Sequence, residues 1–234
     1  MHSLAILLLS TPIFGFSLQL AHQQPLQAFV SLDVAHAAAE SAASAPTSNT
    51  RVDPKQAAYL ADIKRRNGLV AIHRPLGIAT WGAMTIAEVL GFIQYYNKYG
   101  LFAGPGSNPC VSGSATFGQG QCTNPVLHLT AAGITTALYA ATFAISLALP
   151  DPDDLARGRG EFASRLRTHK LLRWVHFGGM LAQILLGIVI AHGSSFGLDR
   201  ADDYRMLQGL ATVHLVAGLV TYGALTWAGA LMTF

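Results

Sequence analysis

Residues 169–192 read HKLLRWVHFGGMLAQILLGIVIAH. Beyond His169 and Lys170, the segment Leu171–His192 carries a single charge, Arg173, and no proline. About 20 apolar residues in a helix cross the hydrocarbon of a bilayer, and a helix is one of the few structures that satisfies its own backbone there. The stretch therefore predicts a transmembrane helix. Three further blocks have the same character: Ile72–Tyr96, Pro125–Leu149 and Met206–Phe234. No strand-like alternation competes with them. Of the 234 residues, 51% are hydrophobic and 12% charged, about half the charge of a soluble domain. The expected fold is all-α, an integral membrane up-down four-helix bundle, because the connections are short enough to make successive helices antiparallel neighbours.

The flanks fit this reading. Basic residues gather in Lys64–Arg66 and Arg157–Arg173, where they flank the spans. The net charge of +3 is too small to argue for nucleic acid. A fifth apolar block, Leu4–Leu20, has two readings. Residues 1–37 form a signal or targeting segment with Ala35 and Ala37 near a cut site, or they contain a short extra transmembrane helix. No Lys or Arg precedes Arg51, which departs from the usual basic start of a signal. Residues 38–67 read as an Ala/Ser-rich linker, disordered over 38–55, and 68–234 as the membrane bundle. Pro75 suits the first turn of a helix.

The loop Asn97–Asn124 is rich in Gly, Ser and Pro and holds both cysteines of the chain, Cys110 and Cys122. A disulfide between them suits a non-reducing compartment. The connector Asp151–Lys170 carries five basic residues and the cysteine loop only Lys98. The positive-inside rule puts the connector in the cytoplasm or its organellar equivalent.

Each of the four blocks carries or adjoins one histidine: His73, His128, His169 and His214. An imidazole in hydrocarbon has no water to satisfy it and is a functional candidate. His73 and His169 begin the first and third helices. His128 and His214 lie one and two turns into the second and fourth. Antiparallel packing puts the first two near one membrane face and the others near the opposite face, roughly 20–30 Å apart. Paired imidazoles from diagonal helices are how a b-type haem is held, so two haems b are expected. His176, two turns past His169, and His192, at the end of the third helix, are alternates on their levels. Arg74, Lys170 and Arg173 are candidates to neutralise propionates. Gly77, Gly82, Gly178, Gly179, Gly187 and Gly218 thin the helices where a flat ring would approach, or serve ordinary close packing. Glu88, deep in the first span, is the one intramembrane carboxyl.

These motifs resemble the four-helix core of the cytochrome b561 family. His73-Arg74-Pro75-Leu76-Gly77 is similar to that family's His-Pro-Leu helix start, with Arg74 inserted. His169, Gln183 and Gly187 keep the spacing of its His…Gln…Gly helix, and His214-Leu215-Val216-Ala217-Gly218 is similar to its His-x-x-x-Gly. The second helix offers only Leu127-His128. The resemblance covers about residues 69–232. It implies one haem between His73 and His169 and a second between His128 and His214, and it favours His169 over His176. It also implies that the helix of His73 starts on the non-cytoplasmic side, opposite to the charge reading. The full family has six helices; four or five are visible here.

Two functions follow. The first is transmembrane electron transfer by an oxidoreductase-like carrier, with a small electron donor and acceptor or a quinone as partner. The second is a non-catalytic membrane subunit of a larger redox, photosynthetic or respiratory complex, or a homodimer, with one haem or none. A metal transporter fits less well, because only Glu88 adds a hard ligand within the spans. The expected location is a bacterial inner membrane or an organellar one, thylakoid or mitochondrial.

Overall fold

The computed structural model describes residues Asp53–Thr233. The segment 1–37, the linker as far as 52, and His2, His22 and His36 lie outside the described residues. The described chain is helical, with four long helices: α1 (Pro54–Tyr99), α2 (Val126–Ala148), α3 (Glu161–Ala191) and α4 (Tyr204–Ala230). All four are long and apolar enough to cross a membrane.

Side-chain contacts define the order and direction of the helices. Between α1 and α4, Trp81 bonds Thr226, Thr85 bonds Tyr222, and Tyr95 bonds Thr212. Between α3 and α4, His169 meets Ala228, Gly179 meets Thr221, and Gly187 meets His214. Between α1 and α2, Thr80 bonds Thr142 while Ala87 meets His128. Between α2 and α3, Tyr139 bonds His176 while Arg173 donates to the Ser146 carbonyl. Numbers rise on one helix as they fall on its neighbour in every pair. The bundle is therefore up-down, with α1 and α3 on one diagonal and α2 and α4 on the other.

Packing follows the rules of a bilayer rather than of water. Many buried positions are small or hydroxylated: Thr80, Ala87, Thr135, Thr142, Ala211, Thr221, Ala224 and Ala228. Large apolar side chains such as Ile78, Ile86, Leu171, Leu185, Val216 and Val220 point outward. Small residues let helix backbones approach closely where lipid gives no hydrophobic drive for association. The buried threonines return their hydroxyls to the carbonyl four residues back, as Thr80 does to Leu76 and Thr221 to Ala217.

Helix α1 starts earlier than the sequence reading placed it. Residues 54–67 are helix, not linker, and Pro75 lies inside α1 rather than in its first turn. The start is fixed by Asp53, whose carboxylate accepts from the Lys55 amide at 2.9 Å, with Pro54 in the first helical position. Forty-six residues make a rod of roughly 69 Å, more than twice the ~30 Å hydrocarbon core. The part before the span is held by the α2–α3 connector. Tyr59 donates to Asp153 at 2.8 Å, and Asp151 takes both Arg66 (3.5 Å) and Lys170 (2.9 Å). The connector is also shorter than expected, since α3 begins at Glu161. A helical propensity running through KQAAYLADIKRR explains the first difference, with polar residues continuing a helix that the bilayer no longer requires.

At the opposite end, Gly100 closes α1 in the left-handed region (φ 53°). The loop that follows holds two single-turn helices, Pro109–Ser112 and Gly120–Thr123, and Cys110 and Cys122 are joined in a disulfide. Asn97, 1% exposed, pins this loop by bonding both backbone groups of Thr116. Gln208 and Tyr204 of α4 bond the carbonyl of Ala103.

Candidate histidine-pair sites

The contact ladder sets the depth of each histidine. On α1, His73 is 14 residues before Ala87, whose carbonyl meets His128. On α3, His169 is 18 residues before Gly187, which meets His214. These separations put the two histidine levels roughly 21–27 Å apart. Each level combines helices from one diagonal.

His128 and His214 come together. Their ring centroids are 6.3 Å apart and their planes cross at 89°. A single metal atom between two imidazoles, with bonds of about 2 Å to each nitrogen, places the two ring centres about 6 Å apart. Among the described residues no other pair of histidine rings is in direct proximity. Both rings rest on a glycine of the adjacent helix. A Cβ on Gly91 would stand 3.0 Å from Cε1 of His128, and one on Gly187 would stand 3.4 Å from Cε1 of His214. His73 and His169 belong to the other diagonal and lack the close ring approach of the first pair.

The two levels share a pattern of hydrogen bonds. At each, one imidazole is anchored by Nδ1 to a backbone carbonyl: His128 to Ala87 at 3.3 Å, His169 to Ala228 at 2.9 Å. A carbonyl only accepts, so Nδ1 carries the proton and Nε2 is left as the basic nitrogen, as in histidines whose other ring nitrogen binds a metal. The other imidazole at each level, His214 or His73, has a buried Nδ1 with no partner. An unsatisfied buried polar atom costs roughly 1–3 kcal/mol, and the His73 ring meets the Thr142 backbone as well. Gln183 donates to the His214 carbonyl at 2.6 Å and fixes that turn of α4.

The remaining predicted residues are placed as follows. His176 is buried and shares a 2.8 Å hydrogen bond with the Tyr139 hydroxyl, between the levels and nearer that of His169, beside Met84 and Met180. His192 is exposed at the end of α3 and turns Nδ1 to its own helix at Ile188. Arg74 is exposed, and Lys170 is engaged by Asp151. Arg173 lies deeper. Its charge acts on His73, His169 and His176, its Nη1 donates to the Ser146 carbonyl at 3.2 Å, and its buried Nε has no partner. Glu88 leans on Gly218, where a Cβ would fall 2.7 Å from Oε1. Gly179 leaves no room for a Cβ beside Thr221, whereas Gly77, Gly82 and Gly178 face open space. Gly91 was not among the residues singled out from the sequence; its contact with His128 is revealed only by the packing of α1 on α2.

No group of three or more His, Cys, Asp or Glu side chains gathers among the described residues. The fold is a helical bundle whose four long helices are each apolar enough to cross a membrane, and within it the His128 and His214 rings approach one another. Compared with family models, curated proteins and solved structures, the chain matches none.

Proposed function

We propose that this chain is a transmembrane electron carrier of the cytochrome b561 type, with one haem b between His128 and His214 and a second between His73 and His169. The observation that carries the reading is the His128–His214 approach at 6.3 Å, each ring seated on a glycine. A haem with both axial positions filled exchanges one electron with little change in geometry. The protein's part is to orient and to insulate. Ala87 and Ala228 hold one imidazole of each pair in the required tautomer. The Tyr139–His176–Met84–Met180 cluster fills the space between the levels. Arg173, with its unpartnered Nε, is the cation best placed to meet a carboxylate at the His73 level; Lys170 and Arg74 are engaged or turned outward. Electrons would come from a small donor or a quinol at one face and leave at the other, in a bacterial inner membrane or an organellar one. Purified protein reduced with dithionite should give a sharp b-type α band that titrates in two one-electron components. A protein purified in its native fold from haem-replete cells with no α band overturns the reading.

A second reading, a docking subunit of a larger membrane complex, is favoured by the disulfide loop. Leu101, Phe102 and Phe117 hold left-handed backbone conformations (φ 51°, 76° and 64°) with their side chains exposed, a strained arrangement uncommon for bulky residues. Native electrophoresis of mild-detergent extracts tests it: comigration with other subunits supports it, and a lone species counts against it.

A further inference from the structure

A line of aromatic rings leads from the interior of the bundle to its outer face. It begins at Tyr139 and His176, which are 6% and 7% exposed and share the 2.8 Å hydrogen bond. Tyr139 stacks on Phe143 with ring centres 6.0 Å apart, and Phe143 stands edge-on to Trp174 at 5.8 Å. Phe177 stacks on Phe143 at 4.4 Å and lies 6.0 Å from Trp174. Trp174 ends the line, 51% exposed on a helix apolar enough to cross a membrane. One phenyl ring therefore bridges an indole open to lipid and a buried phenol.

Indole and phenol are the aromatic side chains that most readily give up one electron. Two features decide where the resulting hole rests. The guanidinium carbon of Arg173 lies 5.1 Å from the centre of the Trp174 ring. A cation there favours the neutral, electron-rich ring and opposes a positive charge on it. The Trp174 indole nitrogen also has no hydrogen-bond partner among the described residues that could take its proton. Tyr139 differs, because an oxidised phenol is a strong acid and an imidazole is already in hydrogen-bond contact with it. Trp81 and Tyr222 form a similar pair at 6.1 Å, but Tyr222 bonds the Thr85 hydroxyl, which is no base. Tyr95 likewise bonds the Thr212 hydroxyl. Tyr59 has a carboxylate partner, Asp153, but belongs to the part of α1 before the span.

We infer that Tyr139 and His176 form a radical-holding site that quenches peroxyl radicals of the surrounding lipid, with Trp174 as its entrance. The lipid peroxyl radical takes one electron from Trp174 and one proton from interfacial water, and becomes a hydroperoxide. Trp174 recovers its electron from Tyr139 through Phe143. The phenolic proton passes to Nδ1 of His176, in the tautomer that carries its own proton on Nε2. In sum, one peroxyl radical and one proton give one hydroperoxide, while Tyr139 becomes a neutral phenoxyl and His176 an imidazolium bonded to its oxygen. No haem takes part in these steps, which are therefore separable from the electron-carrier reading.

The test places the full-length protein in vesicles of dilinoleoyl phosphatidylcholine with a lipid-soluble azo initiator that makes peroxyl radicals at a fixed rate. Samples are frozen and read by electron paramagnetic resonance, and oxygen uptake by the lipid is followed in parallel. The unsubstituted protein should give a tyrosyl signal, which narrows when ring-deuterated tyrosine is incorporated, and should retard oxygen uptake. Tyr139→Phe, which keeps the ring and its stacking, should lose both effects, and so should Trp174→Phe. Tyr222→Phe should keep both. His176→Gln, which still hydrogen-bonds a hydroxyl but takes no proton, should lose the radical with its helix content unchanged, and thereby separates proton acceptance from packing. No tyrosyl signal in the unsubstituted protein overturns the inference. So does an undiminished signal in Tyr139→Phe, Trp174→Phe or His176→Gln, or its loss from Tyr222→Phe as well. The full radical pattern in a protein without haem counts against the electron-carrier reading alone.

Discussion

Gly91 gives the sharpest structural prediction. Its missing side chain is the seat of the His128 ring: a Cβ there would lie 3.0 Å from Cε1 and 3.3 Å from Nδ1. Alanine would require a shift of a few tenths of an ångström. Leucine would push the ring off the Ala87 carbonyl and away from His214. Overpacking of this kind costs typically 1–3 kcal/mol, and since every 1.4 kcal/mol is tenfold the His128–His214 site should bind haem about 5- to 150-fold more weakly. Gly82 is the control, because a Cβ there meets nothing within 4 Å. Titration of haem-depleted protein, followed by absorbance, measures the loss. Gly91→Leu with unchanged affinity at both sites would refute the packing argument, as would an equal loss from Gly82→Leu.

Three other outcomes are expected. His169→Ala should remove one haem signal, whereas His176→Ala should keep both and lower thermal stability by about 1–3 kcal/mol, the cost of a buried Tyr139 hydroxyl left without a partner; the reverse result would move the ligand to His176. The hydrogen bond from Lys170 holds the Asp151 carboxyl below its usual range, with Arg66 adding to the effect. A folded pKa that is depressed stabilises above the ordinary aspartate range and is lost as pH falls through the lower folded value. Proteolysis within residues 54–66 should therefore accelerate in acid, and Asp151→Asn should accelerate it already at neutral pH, an effect of roughly 0.5 kcal/mol for a partly exposed pair. Reducing Cys110–Cys122, which closes a 12-residue separation, should remove about 3 kcal/mol from the loop and expose it to protease while the α band stays; loss of haem on reduction would contradict the independence of loop and site.

The membrane bundle was legible because hydrocarbon imposes a simple rule: long apolar runs must be helices, and short connections alternate their direction. Depth was legible for the same reason, since a fixed rise per residue converts position into height, which sets His128 and His214 at one level, where their rings lie 6.3 Å apart. What remained hidden depends on neighbours outside the local sequence. The start of α1 at Pro54 reflects a polar helix braced by Asp151 and Asp153 of the connector, and nothing in the linker's composition announces that brace. Lys170 and Arg173 read alike on paper, yet one is engaged by Asp151 and the other keeps an unpartnered nitrogen near three histidines. The role of Gly91 is a contact between helices, invisible until α2 is laid against α1.

The most direct measurement is the haem content per chain, by pyridine haemochrome against protein concentration. The account predicts two haems b in the unmodified protein, one after His214→Ala and one after His73→Ala. A well-folded protein with no haem, or one whose content is unchanged by either substitution, contradicts it.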